Sequence, residues 1–180
     1  NGNSSQYDRI FGSDGAFSAV RNRMARQDRF NVEQRYLEHG YLELAMRPEE
    51  NGDFKMRADT LHLWPRGEFM LMALPNPDGT FTCTLFAPFE RKQGIPGLED
   101  LNTNEEAMSY FEEHFPDVPA LIPDLFDQWN AHPVSSLVMI RCEPWHNGNR
   151  VALLGDAAHA IVPFYGQGMN SGFEDCSVLS

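Results

Sequence analysis

The stretch Arg150-Val-Ala-Leu-Leu-Gly-Asp-Ala-Ala-His159, with Pro163-Phe-Tyr-Gly-Gln-Gly-Met-Asn170 just after it, decides the fold. Val151–Leu154 is a short apolar run closed by turn residues, the pattern of a strand buried on both faces of a parallel sheet. It delivers Gly155 and Asp156 to its carboxyl end, the edge of an open α/β sheet at which ligands bind. Gly155 lets a ligand or a second backbone approach closely. Asp156, when ionised, is an acceptor suited to a sugar hydroxyl. Gly166 and Gly168 then frame Gln167, and a helix is predicted from about Gly168. The first N–H groups of that helix are free to cradle an anion or an electron-rich oxygen. A Gly-Asp pair alone is an ordinary turn. The sequence of strand, turn, glycine-rich loop and helix together points to a nucleotide-type ligand.

The pattern outward from this stretch divides the chain. Tyr7–Gly12 reads as a strand, Gly12-Ser-Asp-Gly15 as a tight turn and Ala16–Ala25 as a helix. The segments after them alternate with period two: Gly40–Met46, Thr60–Trp64, Phe69–Leu74 and Thr80–Phe86 read as antiparallel strands. Asn51-Gly52, Pro65-Arg66-Gly67 and Asn76-Pro-Asp-Gly79 supply the turns between them. Thr103 and Glu106 form a capping box for a helix over about 104–114, a second short helix covers about 119–129, and Val134–Cys142 returns as a strand. Strand–helix and strand–loop–helix units at the two ends call for a parallel sheet, whereas the middle calls for an antiparallel one. An α/β fold follows (α+β for this stretch taken alone), with an antiparallel-sheet domain inserted into a Rossmann-like nucleotide-binding domain. Residues 7–30 and 149–180 are assigned to the nucleotide-binding part and 31–148 to the insert. The polar start, residues 1–6, shows no signal-peptide pattern. The chain stops inside a predicted helix, so it reads as an internal piece of a longer protein.

Composition narrows the function. Among 180 residues, 42% are hydrophobic and 22% charged, the balance of a globular chain with a core of its own. The net charge of −12 leaves no basic stripe for nucleic acid and disfavours an anionic membrane surface. No apolar run approaches the roughly 18 residues of a membrane span. Three widely spaced cysteines, Cys83, Cys142 and Cys176, suit neither a disulfide framework nor a structural zinc site, and fit a reducing compartment. The six histidines lack metal-ligand spacing, so no metal is expected. Thirteen Phe and eight Met fill cores and also line pockets for flat aromatic ligands. Met70, Met72 and Leu74 share one face of a strand by their period-two spacing.

Several other residues invite simpler readings. His159 is expected to be a hydrogen-bonding loop histidine, since no nucleophile motif accompanies it. Arg66 reads as a strand-end salt-bridge residue or a binding contact. Arg21, Arg23, Arg26 and Arg29 read as charges around a helix end, and Glu105–Glu113 as a solvated helix face.

The segment from Val151 to Asn170 resembles the second conserved FAD motif of the FAD-dependent aromatic hydroxylases. Gly12-Ser-Asp14-Gly15-Ala-Phe-Ser18-Ala-Val20-Arg21 resembles their Asp-Gly motif, and the two stand in the family's order with the insert between them. A finer resemblance is to those members that act on the aromatic amino acid L-kynurenine. It runs through Leu61-His-Leu-Trp-Pro-Arg66, Met72-Ala-Leu-Pro-Asn76, Phe81-Thr-Cys-Thr-Leu-Phe86 and Val162-Pro-Phe-Tyr-Gly-Gln-Gly-Met-Asn-Ser-Gly-Phe-Glu-Asp-Cys176.

The resemblance implies FAD as cofactor, NADPH and O2 as co-substrates, and transfer of one oxygen atom to an aromatic ring. It places Gly155 and Asp156 on the ribityl or phosphate region of the flavin, and Gln167, Gly168, Met169 and Asn170 against the isoalloxazine edge. Asp14, Gly15 and Arg21 belong to the Asp-Gly motif, near flavin and nicotinamide. Leu61, Met70, Met72, Leu74 and Phe86 would line the substrate pocket, with Pro163, Phe164 and Tyr165 walling it from the flavin. Tyr165 departs from the Phe or His expected there. No side chain of this stretch is expected to act as a catalytic acid or base. The pyrophosphate turn Gly-x-Gly-x-x-Gly does not occur in these 180 residues. Two further readings therefore stand beside the first: a related hydroxylase with a phenolic substrate, and a cofactor-free domain that binds an aromatic ligand. The resemblance implies a cytoplasmic protein for a bacterial parent, and a mitochondrial outer-membrane protein for a eukaryotic one.

Overall fold

The computed structural model describes residues 5–180, so the first four of the polar start lie outside the described residues. In chain order the strands and helices are β1 (Ile10–Gly12), α1 (Ala19–Met24), β2 (Asn31–Met46), β3 (His62–Pro65), β4 (Met70–Pro75) and β5 (Phe81–Pro88). They continue with α2 (Asn104–His114), α3 (Val118–Leu121), α4 (Leu125–Ala131), β6 (Ser135–Glu143), β7 (His146–Asn147), β8 (Val151–Leu153), α5 (Asp156–His159) and α6 (Gly168–Leu179). The described chain forms two compact units, one of residues 38–136 and the other of residues 5–37 together with 137–180.

The contiguous unit is an antiparallel sheet with helices on one face. Its strands lie in the order β3-β4-β5-β2, with tight turns joining β3 to β4 and β4 to β5. Arg66 N donates to Phe69 O at 2.8 Å in the first turn, and Gly79 N to Asn76 O at 3.1 Å in the second, where Gly79 has φ 88. The Asn51-Gly52 turn also forms, Gly52 N donating to Glu49 O at 2.8 Å. It does not make a hairpin, because β2 pairs with β5 rather than with β3.

Period-two alternation separates the sheet's faces. Leu42, Leu44, Leu71, Ala73, Cys83 and Leu85 point into a core shared with Phe111, Phe115, Ile122 and Leu125 of the helices and their caps. Helix α2 begins with the expected box: Thr103 Oγ1 accepts from Glu106 N at 3.2 Å, and Glu106 Oε2 accepts from Thr103 N at 3.0 Å. The single helix expected over 119–129 is two helices. Pro123 disfavours helical torsions at the residue before it, and Ile122 sits at φ −122, ψ 80. Arg66 makes no salt bridge among the described residues. Its Nε donates to His114 O at 2.7 Å at the end of α2, and its guanidinium lies 5.2 Å from the centre of the Phe115 ring.

In the split unit β1 and β8 pair in parallel, Ile10 opposite Val151 and Gly12 opposite Leu153, and β7 adds an antiparallel edge. Gly12 is required here: a Cβ would lie 2.9 Å from both Leu153 Cδ2 and Val20 Cβ. β1 is shorter than the Tyr7–Gly12 run suggests, and α1 begins at Ala19 rather than Ala16 because Asp14 and Ser18 cap it there. β2 starts at Asn31, nine residues before the alternation becomes legible at Gly40. Its early residues are exposed and mostly polar, so they carry no hydrophobic pattern. β6 is its other neighbour. All three cysteines are free thiols, Cys83 and Cys142 buried and Cys176 exposed. Among the described residues no helix is long and apolar enough to cross a membrane.

Candidate functional site

The turn after β8 is built from its backbone. Gly155 adopts φ 55, ψ −141, a conformation that side-chain-bearing residues avoid, and the chain passes directly into the single turn of α5. Ala158 N and His159 N both donate to Gly155 O, at 2.8 and 2.9 Å. Where the sequence suggests only a Gly-Asp turn, a short helix therefore sits at the carboxyl end of the parallel strand.

Four groups hold this turn from outside. Arg21 Nη1 donates to Ala157 O at 2.9 Å, and Cys142 Sγ to Ala158 O at 3.2 Å. Asp175 Oδ2 accepts from Gly155 N at 2.7 Å and lies 2.8 Å from His159 Nε2. The Trp145 ring stands 4.7 Å, centre to centre, from the His159 ring. Asp156 alone is left over: it is exposed, and among the described residues its carboxylate has no hydrogen bond or ion pair. His159 is hydrogen-bonded, as its sequence context suggests, but it closes helix α5 rather than lying in a loop.

The Asp-Gly motif caps α1. The Asp14 carboxylate accepts from Ser18 Oγ at 2.5 Å, Ala19 N at 2.7 Å and Val20 N at 3.2 Å. Partial burial acts to raise its pKa, but the hydrogen bonds from Ser18 and the Val20 and Ala19 amides outweigh it and hold the carboxyl below its ordinary value. Gly15, at φ 77, makes the turn between Asp14 and the helix. Arg21 is not one of a solvated cluster. It is 1% exposed, whereas Arg23, Arg26 and Arg29 are exposed. Its Nη2 donates to Ala16 O at 2.5 Å, so a single buried guanidinium ties this motif to the turn after β8.

The loop before α6 is open. Pro163–Tyr165 form a 3₁₀ turn ended by Gly166 in the left-handed conformation. Tyr165 is 85% exposed, so in this chain its hydroxyl needs no buried partner. Pro163 is exposed as well, and Phe164 is half-buried. Gln167 caps α6 without a side-chain bond; its Oε1 instead accepts from Asn170 Nδ2 at 3.0 Å. Gly168 and Met169 open the helix, and the Met169 side chain is largely exposed.

The remaining candidates lie in the other unit, on the sheet face opposite its core. Register places Phe86 beside Met70 and Tyr41, Thr84 beside Met72, and Thr82 beside Leu74. Leu63 pairs with Met72, and Leu61 continues β3 on that face. Phe86 and Met72 are buried, Met70 is half-buried, and Leu61 and Leu74 are 48% and 43% exposed. The helices cover the other face of this sheet.

Two positions that shape these turns were given no role of their own in the sequence reading. Ser18 is legible in retrospect as the helix cap three residues before Arg21. Asp175 carries no local signal, since it lies mid-helix and its partners are 16 and 20 residues away.

A parallel strand ending in a free carboxylate, with a capped helix tied to it through a buried arginine, defines a class of nucleotide-binding fold. The model of the family described as FAD binding domain matches residues 4–180, and the chain belongs to that family. Its curated relatives are more specific. It is 52% identical over 175 residues to a kynurenine 3-monooxygenase of Christiangramia forsetii, covering 97% of this chain and 38% of that protein. A kynurenine 3-monooxygenase of Sus scrofa is 45% identical over 174 residues, 96% of this chain and 36% of that protein. The chain thus spans a little over a third of the length of these relatives. Among solved structures, a variant of HpxO from Klebsiella pneumoniae complexed with FAD matches with a TM-score of 0.75 and 27% identity, over 99% of this chain and 44% of that one. 2-Methyl-3-hydroxypyridine-5-carboxylic acid oxygenase shares the fold, with a TM-score of 0.68 at 22% identity, over 93% of this chain and 43% of that one.

Proposed function

We propose that this chain is the central part of an FAD- and NADPH-dependent monooxygenase that hydroxylates L-kynurenine to 3-hydroxykynurenine. The observation that carries the reading is identity near 50% over almost the whole chain to proteins named for that activity, including both motif regions and the sheet between them. A phenolic substrate is the competing reading. The aliphatic and aromatic strand face of Leu61, Met70, Met72, Leu74 and Phe86 supports a flat aromatic ligand of either kind.

The residues fit one end of FAD. Asp156 is a free acceptor at the carboxyl end of β8, suited to ribityl hydroxyls. The first turn of α6 has no side-chain cap, so the N–H groups of Gly168, Met169 and Asn170 can meet the electron-rich edge of the isoalloxazine ring. The pyrophosphate cradle is not among these residues. When bound, FAD would supply the redox chemistry that links NADPH oxidation to activation of O2, and O2 would provide the oxygen atom that is transferred. The protein's part is to orient and to exclude water. Asp156 and the α6 amides hold the flavin, Asp14, Gly15 and Arg21 fix the neighbouring loop, and the strand face of Leu61, Met70, Met72, Leu74 and Phe86 offers an apolar surface to the ring to be hydroxylated. No proton transfer by a side chain of this chain is invoked.

The test is a substrate panel on the full-length protein, recording NADPH oxidation together with product. Coupled hydroxylation of L-kynurenine in preference to phenolic acids is expected. Coupling only with a phenol would replace this substrate assignment.

A further inference from the structure

We propose that Asp175 is the positioning residue for Asp156, acting as a clamp on both ends of the turn that presents it. One carboxylate oxygen, Oδ2, meets Gly155 N at 2.7 Å and His159 Nε2 at 2.8 Å. These two partners bracket α5, with Asp156 its first residue. Both side chains are largely shielded, His159 at 15% and Asp175 at 13% exposure, and Trp145 lies against the imidazole.

Helix α6 is shaped for this contact. Gly172 and Asp175 are three residues apart on one helix face. At Gly172 the helix runs beside the turn, where a Cβ would make an ordinary contact of 3.7 Å with Gly155 Cα. That placement brings the Asp175 carboxylate to the Gly155 amide. Gly155 has no side chain to fix its torsions, and the bond from its N–H to Asp175 helps hold the conformation at φ 55, ψ −141. Among the described residues the Asp156 carboxylate makes no hydrogen bond or ion pair that would orient it. Its direction is inherited from the backbone that Asp175 holds, and a carboxylate that is pre-aimed binds without the cost of being ordered.

This inference rests on the reading of Asp156 as a flavin ligand. The experiment therefore separates the two. In the full-length protein, FAD dissociation constants are measured for Asp175→Ala, Asp175→Asn, Asp156→Ala and the Asp156→Ala/Asp175→Ala double variant, and amide hydrogen exchange is followed in the apoprotein over residues 153–159. Asp175→Ala is expected to speed exchange at Gly155 and to raise the FAD dissociation constant about tenfold. Asp175→Asn, which keeps an acceptor oxygen, is expected to restore most of both. In the Asp156→Ala background, Asp175→Ala is expected to add less than about twofold, because its effect passes through Asp156. Full additivity, or unchanged exchange at Gly155, overturns the clamp. Wild-type FAD affinity in Asp156→Ala overturns the ligand reading on its own. Should Asp175→Ala fail to fold, Asp175→Leu, which keeps the volume without an acceptor, decides in its place, and wild-type exchange at Gly155 with wild-type FAD affinity in that variant overturns the clamp.

Discussion

Arg21 Nη1 donates to the carbonyl of Ala157 at 2.9 Å, joining residues 136 positions apart in the chain. The same guanidinium reaches Ala16 O, and among the described residues its Nε has no partner. A buried cation held only by carbonyls is an expensive arrangement, retained where its geometry matters. Arg21→Ala should destabilise the protein by about 2–4 kcal/mol in urea denaturation, through two stranded carbonyls and a cavity. Arg21→Met, which keeps the volume, should cost less. Equal stability of all three proteins would show that the bridge is idle.

Asp14 caps α1 as a carboxylate with a depressed pKa. A depressed acid stabilises the fold at pH values above its ordinary 3.8 and loses that contribution as the pH falls through its folded value. Asp14→Asn, which removes the charge at the start of α1, should therefore cost up to about 1 kcal/mol at neutral pH, and the gap from wild type should close in acid. A gap that persists below the ordinary carboxylate range would refute the assignment.

Gly155 and Gly172 face each other but should answer substitution differently. Gly155→Ala meets no steric obstacle, its nearest contact being Gly172 Cα at 3.9 Å, yet its backbone torsions are foreign to alanine. A loss of about 1–3 kcal/mol is expected. Gly172→Ala sits in a helix with an ordinary 3.7 Å contact and should be neutral or slightly stabilising. Thermal melts of the two variants check the contrast.

On the strand face, Leu74→Ala is the cleaner probe. Phe86 is 4% exposed, so its removal mixes stability with binding, whereas Leu74 is 43% exposed. Leu74→Ala should change stability by less than about 0.5 kcal/mol and weaken L-kynurenine binding to the full-length protein about tenfold. An unchanged substrate dissociation constant, read from flavin absorbance, would remove Leu74 from the pocket.

The thiols should separate by reactivity. Burial pushes the Cys83 thiol up to about 12 and raises Cys142 as well, while Cys176 is exposed. A thiol reagent should modify Cys176 rapidly and the other two only on unfolding. Fast labelling of two sites in the native protein would contradict this packing.

Much of the fold was legible because it follows local periodicity. The buried run at Val151, the alternation from Gly40 through Phe86, and the Thr103–Glu106 box each announce their element within a few residues. β2 before Gly40 and the two-residue β7 were not, since exposed strands carry no alternating apolar signal and exist by virtue of their neighbours. The candidate site was legible where chemistry sits on a motif, as at Asp14 and Asp156. It was hidden where the chemistry is long-range. Arg21 looked like one of four helix-end charges, and only its distant carbonyl partner distinguishes it. Asp175 sat inside a familiar stretch with no role, because its meaning lies in Gly155 and His159.

The parallel pairing of β1 with β8 also bears on how the chain comes to be folded. Ile10 emerges from the ribosome early, but its partner Val151 follows only after the whole of residues 38–136. The intervening unit is contiguous, with its strands joined largely by tight turns, so it can complete its own hydrogen bonding during synthesis. The pairing of β1 with β8 can form only after Val151 has emerged, and so follows the insert. A stalled nascent chain ending before Val151 should accordingly resist protease over the insert while residues 5–30 are still cut.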